Sequence, residues 1–274
     1  MKSDTPIDLV YLWVDGNDPK WQAKRNAFFG RKVENSSSNF NGRYVNNDEL
    51  KYSLRSVERY APWIRKIFII SDNQKPKWLD VSNPKIQIID QNNLLPYKSL
   101  PCYNSNVLEH FLYKIPNLSE HFLLSNDDMF LNKTVLSTTF FAKDGLPIIR
   151  LNRKPFRRFR WFLREQIFKK PHKLYSKALF NAAELVKQKF GFFYNGLPHH
   201  NIDSYLKRDC LRVAEQIFKN EIDLTKMNQI RSANDVQRVV YSYVALAEKR
   251  GHLRYVTNDD SLHVHIQKDR HYEK

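Results

Sequence analysis

Four short apolar runs, each followed at once by polar turn residues, constrain the fold of this chain more than any other feature. The runs are rich in β-branched and aromatic residues, which is typical of buried strands; they cover residues 7–14, 67–70, 86–90 and 122–125. Helical patterns separate them, at residues 21–29, 50–60 and 104–113. Strands that alternate with helices predict an α/β fold whose first half is a mostly parallel, doubly wound sheet.

The pattern changes near residue 150, which predicts two regions within one integrated domain. Residues 1–149 form the α/β core, and residues 150–274 form a basic, mainly helical region. The helices expected there cover residues 178–190, 203–218 and 235–249. A polar stretch at residues 31–43 is interpreted as a loop.

A strong positive charge narrows the choice of partner. The chain has 45 Lys and Arg against 29 Asp and Glu, a formal charge of +16, which attracts polyanions. Residues 150–173 contain ten basic side chains and one acid, Glu165, interleaved with aromatic residues. This segment fits an anionic membrane surface, an anionic polymer, or a solvated helix with snorkelling arginines. The sequence lacks a helix-turn-helix, zinc-finger or RNP signature, so we expect no nucleic-acid partner.

The cellular compartment follows from what the sequence lacks. Cys102 and Cys210 have no metal-ligand spacing and do not indicate a disulfide framework. Residues 1–8 contain no apolar signal-peptide core, and no apolar run approaches 18 residues. We expect a cytoplasmic protein that is peripheral on the inner face of the plasma membrane.

Acidic side chains follow several of the predicted strands. Asp127 and Asp128 follow the fourth strand, and Asp15, Asp72 and Asp90 follow the other three. The carboxyl ends of parallel strands lie at one edge of a sheet, where α/β proteins bind ligands. Carboxylates there suit Mg²⁺ or Mn²⁺ with a phosphate substrate, although an Asn-Asp turn is the simpler alternative.

Three other side chains are candidates that the residues alone leave open. Glu109 can be a surface charge. His199 and His200 can supply a general base or lie in a polar loop. Arg231, just before a predicted helix, can hold a phosphate or be an ordinary surface residue. With only seven glycines, the chain has no P-loop and no Gly-rich dinucleotide motif.

Together these segments resemble the Stealth family. Residues 7–19 resemble its first signature block; residues 47–67, 100–109 and 126–130 resemble its second; residues 199–235 are similar to its third, and residues 255–265 to its short fourth. The chain departs from the family at Cys102-Tyr103, where Thr-Phe is usual. Counting back from Ile202-Asp203 matches His200 to the single family histidine.

The resemblance implies a phosphotransferase with a nucleotide-sugar-binding core, Rossmann-like or GT-A-like, and a C-terminal helical addition. Stealth proteins transfer sugar 1-phosphates in capsule, exopolysaccharide and cell-wall synthesis. The implied donor is a UDP-hexose or UDP-HexNAc, and the implied acceptor is an oligosaccharide, polysaccharide or lipid-linked saccharide. An ordinary metal-dependent glycosyltransferase and a non-catalytic polyanion-binding module are the alternatives.

The resemblance also assigns roles to individual residues. His200 is the implied general base, Arg231 holds the transferring phosphate, and Glu109 binds the donor sugar. Asp127 and Asp128 hold the metal, or Asp128 orients the base. The implied nucleotide-sugar contacts are Val14, Asp15, Gly16, Arg55 and Asn104.

Overall fold

The computed structural model describes residues 5–30, 44–257 and 260. The strands are β1 Ile7–Leu12, β2 Ile67–Ser71, β3 Ile86–Asp90, β4 His121–Asn126, β5 Ile148–Asn152, β6 Leu197–Pro198, β7 Asp203–Leu206 and β8 His252–Tyr255. The α-helices are α1 Pro19–Phe29, α2 Glu49–Tyr60, α3 Gln91–Leu94, α4 Ser105–Glu109, α5 Arg157–Phe162, α6 Leu174–Phe190, α7 Lys207–Arg212, α8 Lys219–Lys226 and α9 Val239–Ala247. The loop predicted at 31–43 and most of the fourth family block lie outside the described residues.

The main sheet has the order β3-β2-β1-β4-β7. Its first four strands are parallel, and β7 pairs antiparallel with β4. The predicted α/β fold with a mostly parallel sheet is therefore confirmed. Because β2 and β3 extend from one side of β1 while β4 lies on the other, the strand order reverses between β1 and β4. Open α/β sheets bind ligands outside the carboxyl ends of strands at such a point.

Alternate side chains of each central strand pack into two different cores. Val10, Phe68 and Leu124 pack on one face with α6 and α9. Leu9 and Ile69 pack on the other face with α2. Since both faces are covered, the strands are continuous apolar runs, as the sequence showed.

The second half of the chain contributes strands as well as helices. The helix predicted at residues 203–218 is wrong at its start, because Asp203–Leu206 forms the edge strand β7. Helix α7 follows and continues as a π-helical turn, Val213–Ile217. A second sheet of order β6-β5-β8 includes β5, which spans the predicted boundary between residues 149 and 150. The two-region division stays a prediction.

Two further features bear on function. The helix predicted at residues 104–113 is shorter, since α4 ends at Glu109 and a separate 3₁₀ turn follows at Leu112–Lys114. In the part of the chain that the structure describes, no helix combines the length and apolar character needed to cross a bilayer.

Candidate active site

A cavity of about 730 Å³ opens at the carboxyl edge of the sheet, beyond the ends of β1 and β4. Leu12, Trp13 and Val14 line it from the end of β1, and Asn126, Asp127 and Asp128 line it from the end of β4. Helix α4 and the segments around residues 198–200 and 231–238 complete the wall. This volume suits a ligand of the size of a nucleotide sugar.

An aromatic cluster forms the part of the wall nearest Val14. The Trp21 ring lies 5.0 Å from that of Tyr44 and 5.8 Å from that of Tyr103. Gly16 makes this packing possible, because its N–H donates to the Tyr44 carbonyl at 2.8 Å and an added Cβ would lie 2.0 Å from that oxygen. Glycine is therefore required at residue 16 for close approach of two backbone segments.

Three of the predicted nucleotide contacts do not line the cavity: Asp15, Gly16 and Arg55. Asp15 belongs to a turn in which its carboxylate accepts from Asn17 N–H at 3.0 Å and its own N–H donates to Gln74 at 2.8 Å. Arg55 lies on the exposed side of α2, 6.0 Å from the Tyr52 ring. The structure thus gives Asp15 and Gly16 a role in shaping the turn beside the cavity.

The other strand-end acids hold local structure. Asp72 is buried and pairs with Lys24 Nζ at 2.6 Å. Asp90 caps α3 by accepting from Asn92 N–H at 3.0 Å. Only the acids that follow β4 face the cavity among those at the ends of the described parallel strands.

Asp128 and His200 meet across the cavity. The distance from His200 Nε2 to Asp128 Oδ2 is 3.2 Å, and the two side chains are 44% and 53% exposed. The hydrogen bond to Asp128 raises the pKa of His200 above its usual value. His199 also lines the cavity, but the contact with Asp128 belongs to His200. A neutral His200 that donates from Nε2 carries its lone pair on Nδ1, where it can accept a proton.

The negative charge of the Asp127 carboxylate is energetically unfavourable in the folded protein. Burial, and then repulsion by the adjacent Asp128, raise its pKa to about 6. A divalent cation would relieve this repulsion, and Mg²⁺ commonly binds one or two carboxylates plus water and substrate phosphate. Among the described residues, no group of three or more His, Cys, Asp or Glu forms a metal site. The Asp127 and Asp128 pair therefore fits a cation that substrate oxygens also hold.

Replacing Asp127 with asparagine should stabilise the metal-free protein at pH 7. The raised pKa means that ionisation costs free energy in the folded state above about pH 6. We expect a gain of about 1–2 kcal/mol, less than the full shift because Asp127 is only half-buried. At about pH 2.5, well below the ordinary Asp pKa of about 3.9, the carboxyl is protonated in both states, so the gain should vanish. Urea denaturation in EDTA at pH 7 and at the acidic pH measures this gain in stability. An equal gain at the two pH values would show that the raised pKa of Asp127 is not its cause.

Glu109 is held by a residue that the sequence did not indicate. Arg238 Nη1 donates to Glu109 Oε1 at 2.6 Å, and Arg238 Nη2 donates to Asp203 Oδ2 at 3.0 Å. All three side chains are largely buried, at 11% exposed for Arg238, 5% for Glu109 and 15% for Asp203. Burial raises the pKa of Glu109, and Arg238 opposes that rise. Arg238 directly precedes the apolar stretch that begins with Val239 and Val240, and this position was the available sign of a buried charge.

Arg231 is placed by a buried polar network. Its Nη2 donates to Ser105 Oγ at 3.0 Å, at the first turn of α4. The network centres on Asp235, which is fully buried and accepts from Asn104 at 2.8 Å, Asn106 at 3.0 Å and Asn228 at 2.7 Å. These bonds fix the loop that carries Arg231 against α4. Asn104 lies in the cavity wall, yet its side chain is engaged in this network and in capping α4.

The structure thus brings most of the predicted residues to one cavity. Those that line it are Val14, Asn104, Glu109, Asp127, Asp128, His200 and Arg231. They come from segments that are distant in the chain, and the sheet edge and α4 bring them together.

Comparison with known proteins identifies conserved regions along the first half of the chain. Residues 5–32 match the model of Stealth protein CR1, conserved region 1, and residues 43–149 match that of Stealth protein CR2, conserved region 2. A capsular polysaccharide phosphotransferase of Haemophilus influenzae is 34% identical in an alignment of 254 residues that covers 88% of this chain and 65% of that protein.

Two further relatives match shorter stretches. A capsular polysaccharide phosphotransferase of Actinobacillus pleuropneumoniae is 43% identical over 57% of this chain and 44% of its own length. An exopolysaccharide phosphotransferase of Streptomyces coelicolor is 44% identical over 52% of this chain and 24% of its own length. The chain therefore spans between about a quarter and two thirds of the length of these relatives.

Among solved structures, the galactosyltransferase LgtC in complex with donor and acceptor sugar analogues superposes with a TM-score of 0.44 at 12% identity, over 90% of this chain and 72% of that one. Mouse xyloside xylosyltransferase 1 gives a TM-score of 0.42 at 11% identity, over 92% and 85% of the two chains.

Proposed function

The chain belongs to the Stealth family, and on that premise we propose that it transfers a hexose or HexNAc 1-phosphate from a UDP-sugar to a sugar hydroxyl of a growing surface polysaccharide. The observation that carries the proposal is the meeting of His200, Asp128, Glu109 and Arg231 in one cavity at the sheet edge. The relatives named above as polysaccharide phosphotransferases support the same reaction class.

In the proposed step, the acceptor hydroxyl oxygen forms a bond to the phosphorus that carries the sugar. The bond from that phosphorus to the oxygen bridging the two phosphates breaks, and UMP leaves with the electron pair. The hydroxyl proton passes to the imidazole of His200, whose ring is oriented by the Nε2 contact with Asp128 at 3.2 Å. The bond between the sugar carbon and its oxygen is untouched, so the configuration of the donor is retained.

Positive charge at the phosphate is the second requirement, because charge on the phosphoryl oxygens must be stabilised in the transition state. Arg231 is the proposed clamp, since the contact with Ser105 holds its guanidinium in the cavity wall. Asp127 and Asp128 would hold Mg²⁺ or Mn²⁺, which would neutralise phosphate charge. Adding Mg²⁺ should then raise the melting temperature of the wild type but not that of Asp127→Asn.

Glu109 is the proposed contact for the donor sugar. Its Oε2 is buried and has no hydrogen-bond partner among the described residues, whereas Oε1 is bound to Arg238. A buried carboxylate oxygen without a partner is costly, and a sugar hydroxyl would satisfy it. The aromatic cluster around Trp21, Tyr44 and Tyr103 offers an apolar wall for the nucleotide base.

For its place in the cell, we propose the cytoplasmic side of the plasma membrane. The acceptor there would be an oligosaccharide, a polysaccharide or a lipid-linked saccharide. The exposed basic and aromatic side chains of residues 150–173 support contact with that membrane.

Product analysis tests the reaction directly. With a panel of UDP-sugars and a saccharide acceptor, we expect UMP release and a phosphodiester signal in the ³¹P NMR spectrum of the product. UDP release with no phosphorus in the product would instead identify an ordinary glycosyltransferase. Absence of turnover with salt-sensitive polyanion binding would identify a non-catalytic module.

Replacing Arg231 with alanine should lower kcat about 10²- to 10³-fold, as expected for loss of one group that stabilises transition-state charge. Steady-state kinetics of UMP release measures the loss. Arg59→Ala is the matched control, because Arg59 lies exposed on α2 beside Tyr60 and outside the cavity lining. Equal rates for the wild type and Arg231→Ala would remove Arg231 from the site.

A further inference from the structure

The segment from Phe156 to Phe168 contains helix α5 and its π-helical continuation, Leu163–Ile167, and exposes five large apolar side chains. The exposed fractions are 72% for Phe156, 60% for Phe159, 54% for Phe162, 60% for Ile167 and 62% for Phe168. We call these five side chains the outer apolar face. Five exposed large apolar side chains within one short segment indicate a site of interaction.

The opposite side of α5 is anchored to the rest of the protein, so the outward direction of these rings is fixed. The Trp161 ring stacks on Phe180 of α6, with centroids 4.1 Å apart, and on His172 at 3.4 Å. Arg157 lies between the helix and the body of the domain, where its guanidinium is 3.4 Å from both Tyr194 O and Tyr243 Oη. The helix therefore packs through Trp161 and Arg157 and presents phenylalanines to solvent.

Basic side chains surround the outer apolar face. Arg160, Lys169, Lys170 and Lys173 are exposed. The one acid of the segment, Glu165, accepts from Trp161 Nε1 at 3.1 Å. Phenylalanines beside lysines and arginines are typical of elements that lie in the interface of an anionic bilayer, with apolar rings among the acyl chains and cations at the headgroups.

We propose that the outer apolar face and its neighbouring cations dock this protein on an anionic lipid bilayer, an inference that rests on the membrane location proposed above and identifies the side chains that make the contact. Charge complementarity selects this occupant over a second copy of the chain, because two such faces would bring their Lys and Arg clusters together. Five side chains without a polar tip also fit an acyl layer better than a polyanion in water. Phe192 extends the apolar surface, since it is 68% exposed in the segment whose Asn195 accepts from Arg157 N–H at 3.0 Å.

Vesicle flotation tests the proposal on the full chain. We expect the protein to float with vesicles of phosphatidylcholine and phosphatidylglycerol, to float poorly with phosphatidylcholine alone, and to be released by high salt. Phe159→Ser/Phe162→Ser should weaken binding by about 100-fold or more, because each ring contributes roughly a tenfold gain on burial. The triple substitution Arg160→Ser/Lys169→Ser/Lys170→Ser should weaken binding to the vesicles that contain phosphatidylglycerol. It should leave the weak binding to phosphatidylcholine vesicles unchanged.

Matched controls separate docking from folding and from general charge. Tyr97→Ser removes a ring that is 92% exposed elsewhere, and Lys75→Ser/Lys77→Ser/Lys98→Ser removes three lysines outside the segment; both should bind as the wild type does. Arg157 is left intact because it anchors α5. Thermal unfolding should be unchanged in every variant, since the altered side chains are exposed.

Three results would overturn the proposal. One is vesicle binding that survives Phe159→Ser/Phe162→Ser with unchanged affinity. Another is a dimer in sedimentation experiments that the same double substitution dissociates, which would assign the face to a second copy. The third is tighter binding to a single-stranded oligonucleotide than to anionic vesicles at equal salt.

Discussion

Replacing His200 with alanine is expected to lower kcat/KM for sugar 1-phosphate transfer by about 10²- to 10⁴-fold, the usual range for loss of a general base. In the proposed reaction His200 is the base because its Nε2 contacts Asp128 at 3.2 Å. The fold should persist, since the His200 side chain is 44% exposed. Single-turnover measurement of UMP release gives the loss, and urea denaturation checks stability.

The adjacent histidine supplies the matched control for this variant. His199 also lines the cavity, so His199→Ala tests whether any imidazole there suffices. We expect a much smaller loss than for His200→Ala. The reverse order would transfer the role of base to His199.

A double-mutant cycle can distinguish two roles of Asp128, namely orientation of His200 and binding of a metal ion. If Asp128 acts by orienting His200, then Asp128→Asn combined with His200→Ala should be no slower than the worse single variant, because groups that act as a unit are not additive. If Asp128 instead binds the metal independently of His200, the fold-loss in rate of the double variant should equal the product of the two single fold-losses.

Replacing Arg238 with alanine is expected to cost about 3–5 kcal/mol of folding free energy, the usual result of breaking a buried ion pair at one partner. Glu109 and Asp203 would be left as two buried carboxylates without their shared cation. Urea denaturation at pH 7 measures the loss. The deficit should shrink as the pH falls toward about 4, where carboxylates become protonated.

Two companion variants test the cause of that loss. Adding Glu109→Gln and Asp203→Asn to Arg238→Ala should recover part of the stability, because the repelling charges are removed. Arg208→Ala breaks an exposed pair with Glu120, in which the Arg208 side chain is 66% exposed, and should cost about 1 kcal/mol or less. A similar loss for Arg208→Ala and Arg238→Ala would show that burial of the Arg238 cluster is not the cause.

The local sequence was sufficient to predict the parallel part of the fold. A strand buried on both faces must be apolar at consecutive positions. Each of the four apolar runs therefore predicts a strand from its local sequence; they cover residues 7–14, 67–70, 86–90 and 122–125. The switch of pattern between runs and helices then predicts parallel pairing. The edge strand β7 has only four residues, Asp203–Leu206, and its structure depends on pairing with β4. For that reason its sequence alone predicts the start of a helix, and the structure shows a strand.

The candidate site likewise contains some residues that the sequence could predict and others that it could not. Asp127, Asp128, His200 and Arg231 could be named from the sequence, because their neighbours resemble family blocks. Arg238 could not, since its partner Glu109 is 129 residues away and no spacing relates them. Conversely, Asp15 and Gly16 lie in the most recognisable turn of the chain, yet they shape that turn beside the cavity and do not line it.

By itself, then, the sequence determined the four parallel strands, the sheet class, the family and a set of candidate residues in the cavity wall, because each depends on residues that are close in the chain. The tertiary structure alone decided which charges are paired inside the cavity and which way α5 turns its phenylalanines. Both depend on contacts between distant segments, namely Arg238 with Glu109 and Trp161 with α6. Residue spacing does not determine such contacts, because they arise only when the packed layers bring those segments together.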